Sequence, residues 1–126
     1  MPQNYSWSYS GGSPSGAGVN VGGSLDVDAI VTAGVQLAKN MSVDRDLALQ
    51  IDDVDKLAFL VLASSLYDGS VEVKADTATR TKLTGPLILH GAAVKLFAGD
   101  LDKISLKNTN TTDVADIQIL MGLKLG

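Results

Sequence analysis

The sequence predicts an all-β protein, an antiparallel β-sandwich with an extended N-terminal arm. Three observations predict it. From Ser24 onward, short segments rich in Val, Ile and Leu recur at spacings of roughly 8 to 12 residues. Several alternate apolar with polar residues, the period of a strand with one face in a core. Clusters of Gly, Asp, Asn, Thr or Pro separate them, and these are the residues that turns favour. At 126 residues, the chain suffices for one domain and one core.

The first 23 residues form a separate unit. Three of the six aromatic residues of the chain, Tyr5, Trp7 and Tyr9, alternate there with Ser6, Ser8 and Ser10. A period of two places the three rings on one side of an extended strand. Gly11–Gly23 follows, with six glycines and no charge, and has the composition of a flexible tether. Fully extended, such a segment spans on the order of 40 Å. The expected organisation is therefore an aromatic arm and Gly/Ser-rich tether over 1–23 and a β-sandwich over 24–126.

Within the sandwich, the clearest strands are Asp46–Ile51 (Leu47, Leu49 and Ile51 inward), Ser70–Ala75 (Val71, Val73), Lys103–Lys107 (Ile104, Leu106) and Asp116–Met121 (Ile117, Ile119, Met121). Leu57–Ala63 and Pro86–Leu89 are continuous apolar runs that suit strands buried on both faces or a short helix. Val27–Ala38 has the same ambiguity, and its Val and Ile content together with Gly34 favours two strands meeting at a turn. Asp68-Gly69, between Leu66 and Val71, carries the strongest hairpin signal. Asn108–Asp113 is a polar loop before the last strand, and Gly85-Pro86 and Gly99-Asp100 mark further turns.

Composition excludes several functions. A net charge of -4 argues against nucleic acid as a partner, because phosphate binding needs clustered Lys and Arg. Residues 1–76 carry ten acids against four bases, and residues 77–126 carry four acids against six bases. Placed on different faces, these halves would attract one another between subunits; scattered over the surface, they would simply be solvated. No cysteine is present, which removes disulfides and thiolate metal sites. There is no apolar run of about 18 residues and no signal-peptide order, so the chain is expected to be soluble, without a membrane partner, and made in a cytoplasm. Asn4, Asn40 and Asn110 open Asn-x-Ser/Thr triplets, which matter only in a secreted protein.

Candidate reactive groups are few. His90, the only histidine, follows Leu87-Ile88-Leu89 and precedes Gly91, where a strand leaves a core; one His makes neither a metal cluster nor a triad. Asp52, Asp53 and Asp55 are oxygen donors of the type that holds Ca²⁺, but the rest of an EF-hand loop is missing, and turn or capping roles are commoner for Asp. The same holds for Asn108, Asn110 and Asp113. The single Glu, Glu72, stands at an outward strand position, so no carboxylate pair for glycoside hydrolysis is singled out. Gly16-x-Gly18-x-x-x-Gly22 lacks the spacing of a phosphate loop and its Lys. The expectation is a protein with no catalytic, cofactor-binding or metal residues.

The partner-binding residues are expected in the arm. Tyr5, Trp7 and Tyr9 would form an exposed apolar stripe if left in water. Tyr and Trp are preferred interface anchors, and strand addition supplies backbone bonds, so docking on a neighbouring subunit or a host surface is expected. The competing arrangement is an arm folded back on its own sandwich as an edge strand.

One resemblance sharpens this. The segment LAFLVLASSLYDGSVEVKADTATRTKLTGPLILHGAAVKLFAGDLDKISLKNTNTTDVADIQILMGL resembles small jelly-roll proteins encoded beside capsid genes in tailed bacteriophages. The matching features are an apolar strand ending in Ser64-Ser65 and a hairpin into Val71-Glu72-Val73. Leu83-Thr84-Gly85-Pro86-Leu87 follows, with an Ala93–Leu96 strand and Gly99-Asp100, and then Ile104-Ser105-Leu106-Lys107-Asn108-Thr109 leads to the C-terminal strand. The resemblance covers about residues 45–126, extends more weakly over 25–44, and leaves out the arm. It implies a jelly-roll-like sandwich that acts as a cement or decoration protein, a homotrimer on the outer surface of the virion capsid with the major capsid protein as partner. The alternative is a head-fibre or receptor- or carbohydrate-binding β-sandwich module, and a small glycan hydrolase is the third class.

Overall fold

The computed structural model describes residues 3–16, 18–48, 56–75, 80–91, 94 and 103–124. They form ten strands: β1 (Gln3–Gly12), β2 (Gly18–Val27), β3 (Ala29–Leu37), β4 (Arg45–Ala48), β5 (Leu57–Ser64), β6 (Val71–Ala75), β7 (Thr81–Lys82), β8 (Leu87–His90), β9 (Lys103–Asn108) and β10 (Ala115–Leu123). β1 and β2 make a two-stranded hairpin, and the other eight form two four-stranded sheets ordered β3-β10-β5-β8 and β4-β9-β6-β7. All pairings are antiparallel. The chain is an all-β sandwich.

Alternation along the strands puts one apolar row of each sheet inside. Val71, Val73 and Ala75 of β6 and Ile104 and Leu106 of β9 face Leu60 and Leu62 of β5 and Ile117, Ile119 and Met121 of β10 in one buried cluster. Fully burying each such side chain is worth about 1.5–3 kcal/mol. Every link from β3 to β10 crosses between the sheets except β6 to β7, which pair directly. The core is therefore closed by contacts between residues far apart in sequence.

A second, smaller core lies outside the first sheet. Val27, Ala58 and Phe59 are buried there, with Tyr5, Leu25, Ile30, Val61 and Leu120 packed against them. It exists because the hairpin lies across that sheet. A bulge between Gly122 and Leu123 makes Ala58 the extra residue of β5. Gly122 is opposite Phe59, and a methyl group there would collide with the edge of the Phe59 ring. The glycine lets that ring lie flat over the neighbouring strand.

Several expectations are corrected by these pairings. Val27–Ala38 does not turn at Gly34: β3 is continuous, Gly34 is opposite Gln118, and the break falls at Asp28. Gly34 has no positive φ, so an extended ladder partner on β10 outweighs its turn preference. Asp68-Gly69 is a turn, with Gly69 at φ 90, but not of a hairpin. β5 and β6 belong to different sheets, so the turn carries the chain across the sandwich. Gly11–Gly23 is no slack tether, because β2 begins at Gly18 and pairs with β1 over its whole length. Valines and leucine at alternate positions, Val19, Val21, Leu25 and Val27, supply the strand pattern that its glycines obscured.

The remaining strands fall where alternation places them. Leu57–Ala63 is a strand, buried inside against the main core and outside beneath the hairpin. Asp46–Ile51 is seen as β4 as far as Ala48; Leu49–Asp55, including Asp52, Asp53 and Asp55, lies outside the described residues, as do Ala93, Lys95, Leu96 and Gly99-Asp100.

Candidate docking surface

The two outer faces of the sandwich differ in chemistry. On the β4-β9-β6-β7 sheet the outward row contains Asp46, Lys103, Lys107, Glu72, Lys74 and Lys82. At its rim Arg80 binds Asp44 through both guanidinium Nη atoms, at 2.8 and 2.7 Å, and approaches Glu72 at 3.6 Å. The Arg80 hydrogen bonds hold the Asp44 carboxyl below its ordinary range. Lys103 lies 3.7 Å from Asp46, which also accepts a hydrogen bond from Ser105 at 2.6 Å. This is a solvated, charged face.

The outer face of the β3-β10-β5-β8 sheet carries no charge between Asp116 at one end and the hairpin at the other. Strand register places Ile88, Val61, Leu120 and Thr32 in one row across all four strands. The next row has Ala63, Gln118 and Gly34, and the row on the other side has His90, Phe59, Gly122 and Ile30. The hairpin covers this last row.

Pairing within the hairpin explains its grip. Tyr5 is opposite Leu25, Trp7 opposite Gly23 and Tyr9 opposite Val21, so the three rings share one face as period two requires. The Tyr5 ring stacks on Phe59 at 3.8 Å and 15°, and the Trp7 ring stacks on His90 at 4.4 Å and 21°. Gly23 leaves room for the indole, since a Cβ there would lie 3.1 Å from Trp7 Cζ2. Offset aromatic pairs are worth about 0.5–1.5 kcal/mol beyond the area they bury.

The structure thus separates the three expected partner-binding residues. Tyr5 and Trp7 are half-buried against their own domain, laid across its face and not added to a sheet edge, whereas Tyr9 is 52% exposed. Tyr9 is accompanied by Val21 at 48%, Val19 at 49% and Ile88 at 42%, three residues that sequence alone did not single out. Val19 and Val21 follow the same period as the rings, which is the signal that would have found them. An open groove of about 680 Å³ runs between hairpin and β8, lined by Trp7, Tyr9, Val21, Val61, Pro86 and Ile88 among others. A smaller one of about 470 Å³ continues from Val61 over Leu120 and Gln118 to Thr32 and Gly34.

His90 ends β8, as its place after an apolar run predicts. It is packed against Trp7, its Nε2 is buried without a hydrogen-bond partner, and burial pushes its pKa below 6.5. Folding therefore favours the neutral ring, and this contribution to stability is present above pH about 6.5 and lost as pH falls through the depressed folded value. Urea midpoints are expected to drop between pH 7.5 and pH 5, and His90→Phe is expected to flatten that interval. Asp44 and Asp68 are held below their ordinary 3.8, so their loss belongs to a lower, separate window.

The polar loops satisfy themselves. Asn110 Oδ1 accepts hydrogen bonds from the Thr112 and Asp113 N–H groups and from the Thr112 hydroxyl, and Asp68 Oδ1 accepts the Ser70 N–H and hydroxyl. Among the described residues there is no group of three or more His, Cys, Asp or Glu placed to hold a metal. Nor, among them, is any helix long and apolar enough to cross a membrane. No family model, curated protein or solved structure matches the chain.

Proposed function

We propose that the chain is a non-catalytic virion protein: a cement protein that seats on the outer surface of a phage head and ties neighbouring major capsid proteins together. The observation that carries this is the contrast between the outer faces. One is charged and solvated, while the other combines an uncharged sheet surface with a hairpin tip exposing Tyr9, Val19 and Val21 beside Ile88. Monomeric proteins rarely leave contiguous apolar surface in water, and aromatic residues anchor interfaces. The strand order supports the jelly-roll reading, since eight body strands lie in two sheets with almost every link crossing between them. The sole histidine is committed to packing against Trp7, which supports a binding role over a catalytic one.

In this reading the uncharged face meets the shell and the charged face meets solvent. A protein that binds only the assembled lattice stabilises it by mass action, and several copies acting together multiply a weak contact.

The test is co-sedimentation with shells assembled from the major capsid protein of the same genome. Saturable binding is expected, and Tyr9→Ser with Ile88→Asp is expected to weaken it about tenfold or more without lowering the thermal midpoint. Charge reversal of Lys82 and Lys107 on the opposite face is expected to leave binding unchanged. Equal binding by both variants would remove the assignment of the face. The aromatic lining of the larger groove favours a carbohydrate-binding module as second reading, and binding to glycans with none to shells would select it.

A further inference from the structure

Of the four edges of the two four-stranded sheets, three are blunted. β8 has four residues and β7 has two, and the described part of β4 has four. β4 opens with Arg45 and Asp46, β7 ends in Lys82, and β8 follows Pro86 and ends under Trp7. Short strands, charges and proline are the devices by which sheet edges avoid pairing with another chain. β3 has none of them. It is nine residues long, without charge or proline, and pairs with β10 through nine consecutive positions with no bulge. No described strand pairs with its other edge.

Its side chains show the same opening. Val31, Ala33, Val35 and Leu37 share the face of β10 that carries Met121, Ile119, Ile117 and Ala115, all buried. Yet Val31 is 37% exposed, and Ala33 is exposed as well. Residues that face the core are open to water, and no described strand lies beyond them.

We propose that β3 pairs antiparallel with β3 of a second copy of this chain, about a two-fold axis through Ala33. This register sets Val31 opposite Val35, Ala29 opposite Leu37, and Thr32 opposite Gly34 of the other copy. Core-facing side chains meet only core-facing ones, and no charge meets a like charge. The charged residues just outside the strand, Asp28 before it and Lys39 after it, are brought near one another at both ends. The sequence is thus self-complementary in the sense that a two-fold contact demands. The two sheets become one of eight strands, and the smaller groove lined by Thr32, Gly34, Leu120 and Gln118 runs on across the joint. The pairing does not rest on what the outer face docks against, and it differs from the trimer that the phage resemblance implies.

The chain has no cysteine, which makes the register directly testable. In Ala33→Cys, the two cysteines would lie directly opposite, with Cα atoms about 4.5–5.5 Å apart, within disulfide range. In Gln36→Cys they would be offset by six positions, about 20 Å. Light scattering of the native chain is expected to give twice the 13.1 kDa of one copy. Under mild oxidation Ala33→Cys is expected to form a covalent dimer, with Gln36→Cys remaining uncrosslinked. A native mass of one or three copies, or equal crosslinking of the two variants, would overturn the proposal. No shell is needed, so failure to bind capsids leaves this result standing.

Discussion

Phe59→Ala is expected to lower the unfolding free energy by about 3–5 kcal/mol, the range for removing a fully buried aromatic side chain. Phe59 is completely buried, although it points out of the sandwich. It floors the second core, with Gly122 beneath its ring and the Tyr5 ring stacked above it. Losing it therefore removes the seat of the hairpin as well as one side chain. Trp7 is the only tryptophan and sits on the same hairpin, so its fluorescence reports docking. Emission is expected to shift to the red at denaturant concentrations where the far-ultraviolet signal of the sandwich is still native. A cost below about 1 kcal/mol with unchanged emission would mean that the hairpin is held elsewhere.

The second large effect is expected at Asn108, a fully buried polar residue at the end of β9. Its Nδ2 donates to the Asp113 carbonyl at 2.9 Å, and its Oδ1 accepts the Asn110 N–H at 3.0 Å. Its backbone carbonyl accepts the Met41 N–H at 2.8 Å. The side chain thus holds the β9–β10 crossover in shape, next to the loop that follows β3. Asn108→Ala leaves two backbone groups without their partners, each worth about 1–3 kcal/mol when buried. Because Asp113 is exposed, water recovers part of this, and the expected net loss is about 2 kcal/mol. Urea unfolding measures it. Amide exchange should quicken at Asn110, Thr112 and Asp113 before it does on β5 or β10.

Much of the sandwich was legible in the chain. Alternation in Val71–Ala75, Ile104–Leu106 and Ile117–Met121 located strands and their inward faces, because a strand with one wet face must alternate. The apolar run at Leu57–Ala63 was legible as a segment buried on both faces. What it packed against was not. One of its sides faces the opposite sheet, and the other faces a hairpin that begins more than 50 residues earlier. Gly34 and Asp68-Gly69 misled for a shared reason: turn preference is local, whereas the partner strand decides whether a glycine bends or pairs and whether a turn closes a hairpin or crosses the core.

The docking surface was half legible. The period of Tyr5, Trp7 and Tyr9 put three rings on one face, and the structure keeps them there. It divides their roles by position. Phe59 and His90 lie under the root of the hairpin and take Tyr5 and Trp7, while Tyr9 extends past them to join Val21 and Ile88. The glycines between Gly11 and Gly23 have the composition of slack chain, yet Gly23 is the space into which the Trp7 ring fits.

The sequence by itself determined the class of fold, the faces of most strands and the lack of disulfide chemistry, since these follow from the period of apolar residues and from residue types. Only the tertiary structure decided which strands are neighbours, which aromatic rings are consumed inside and which remain outside, and that no described strand pairs with the outer edge of β3. Pairing and burial are set by the closure of contacts between distant segments, and that information is shared among residues that no local window contains together.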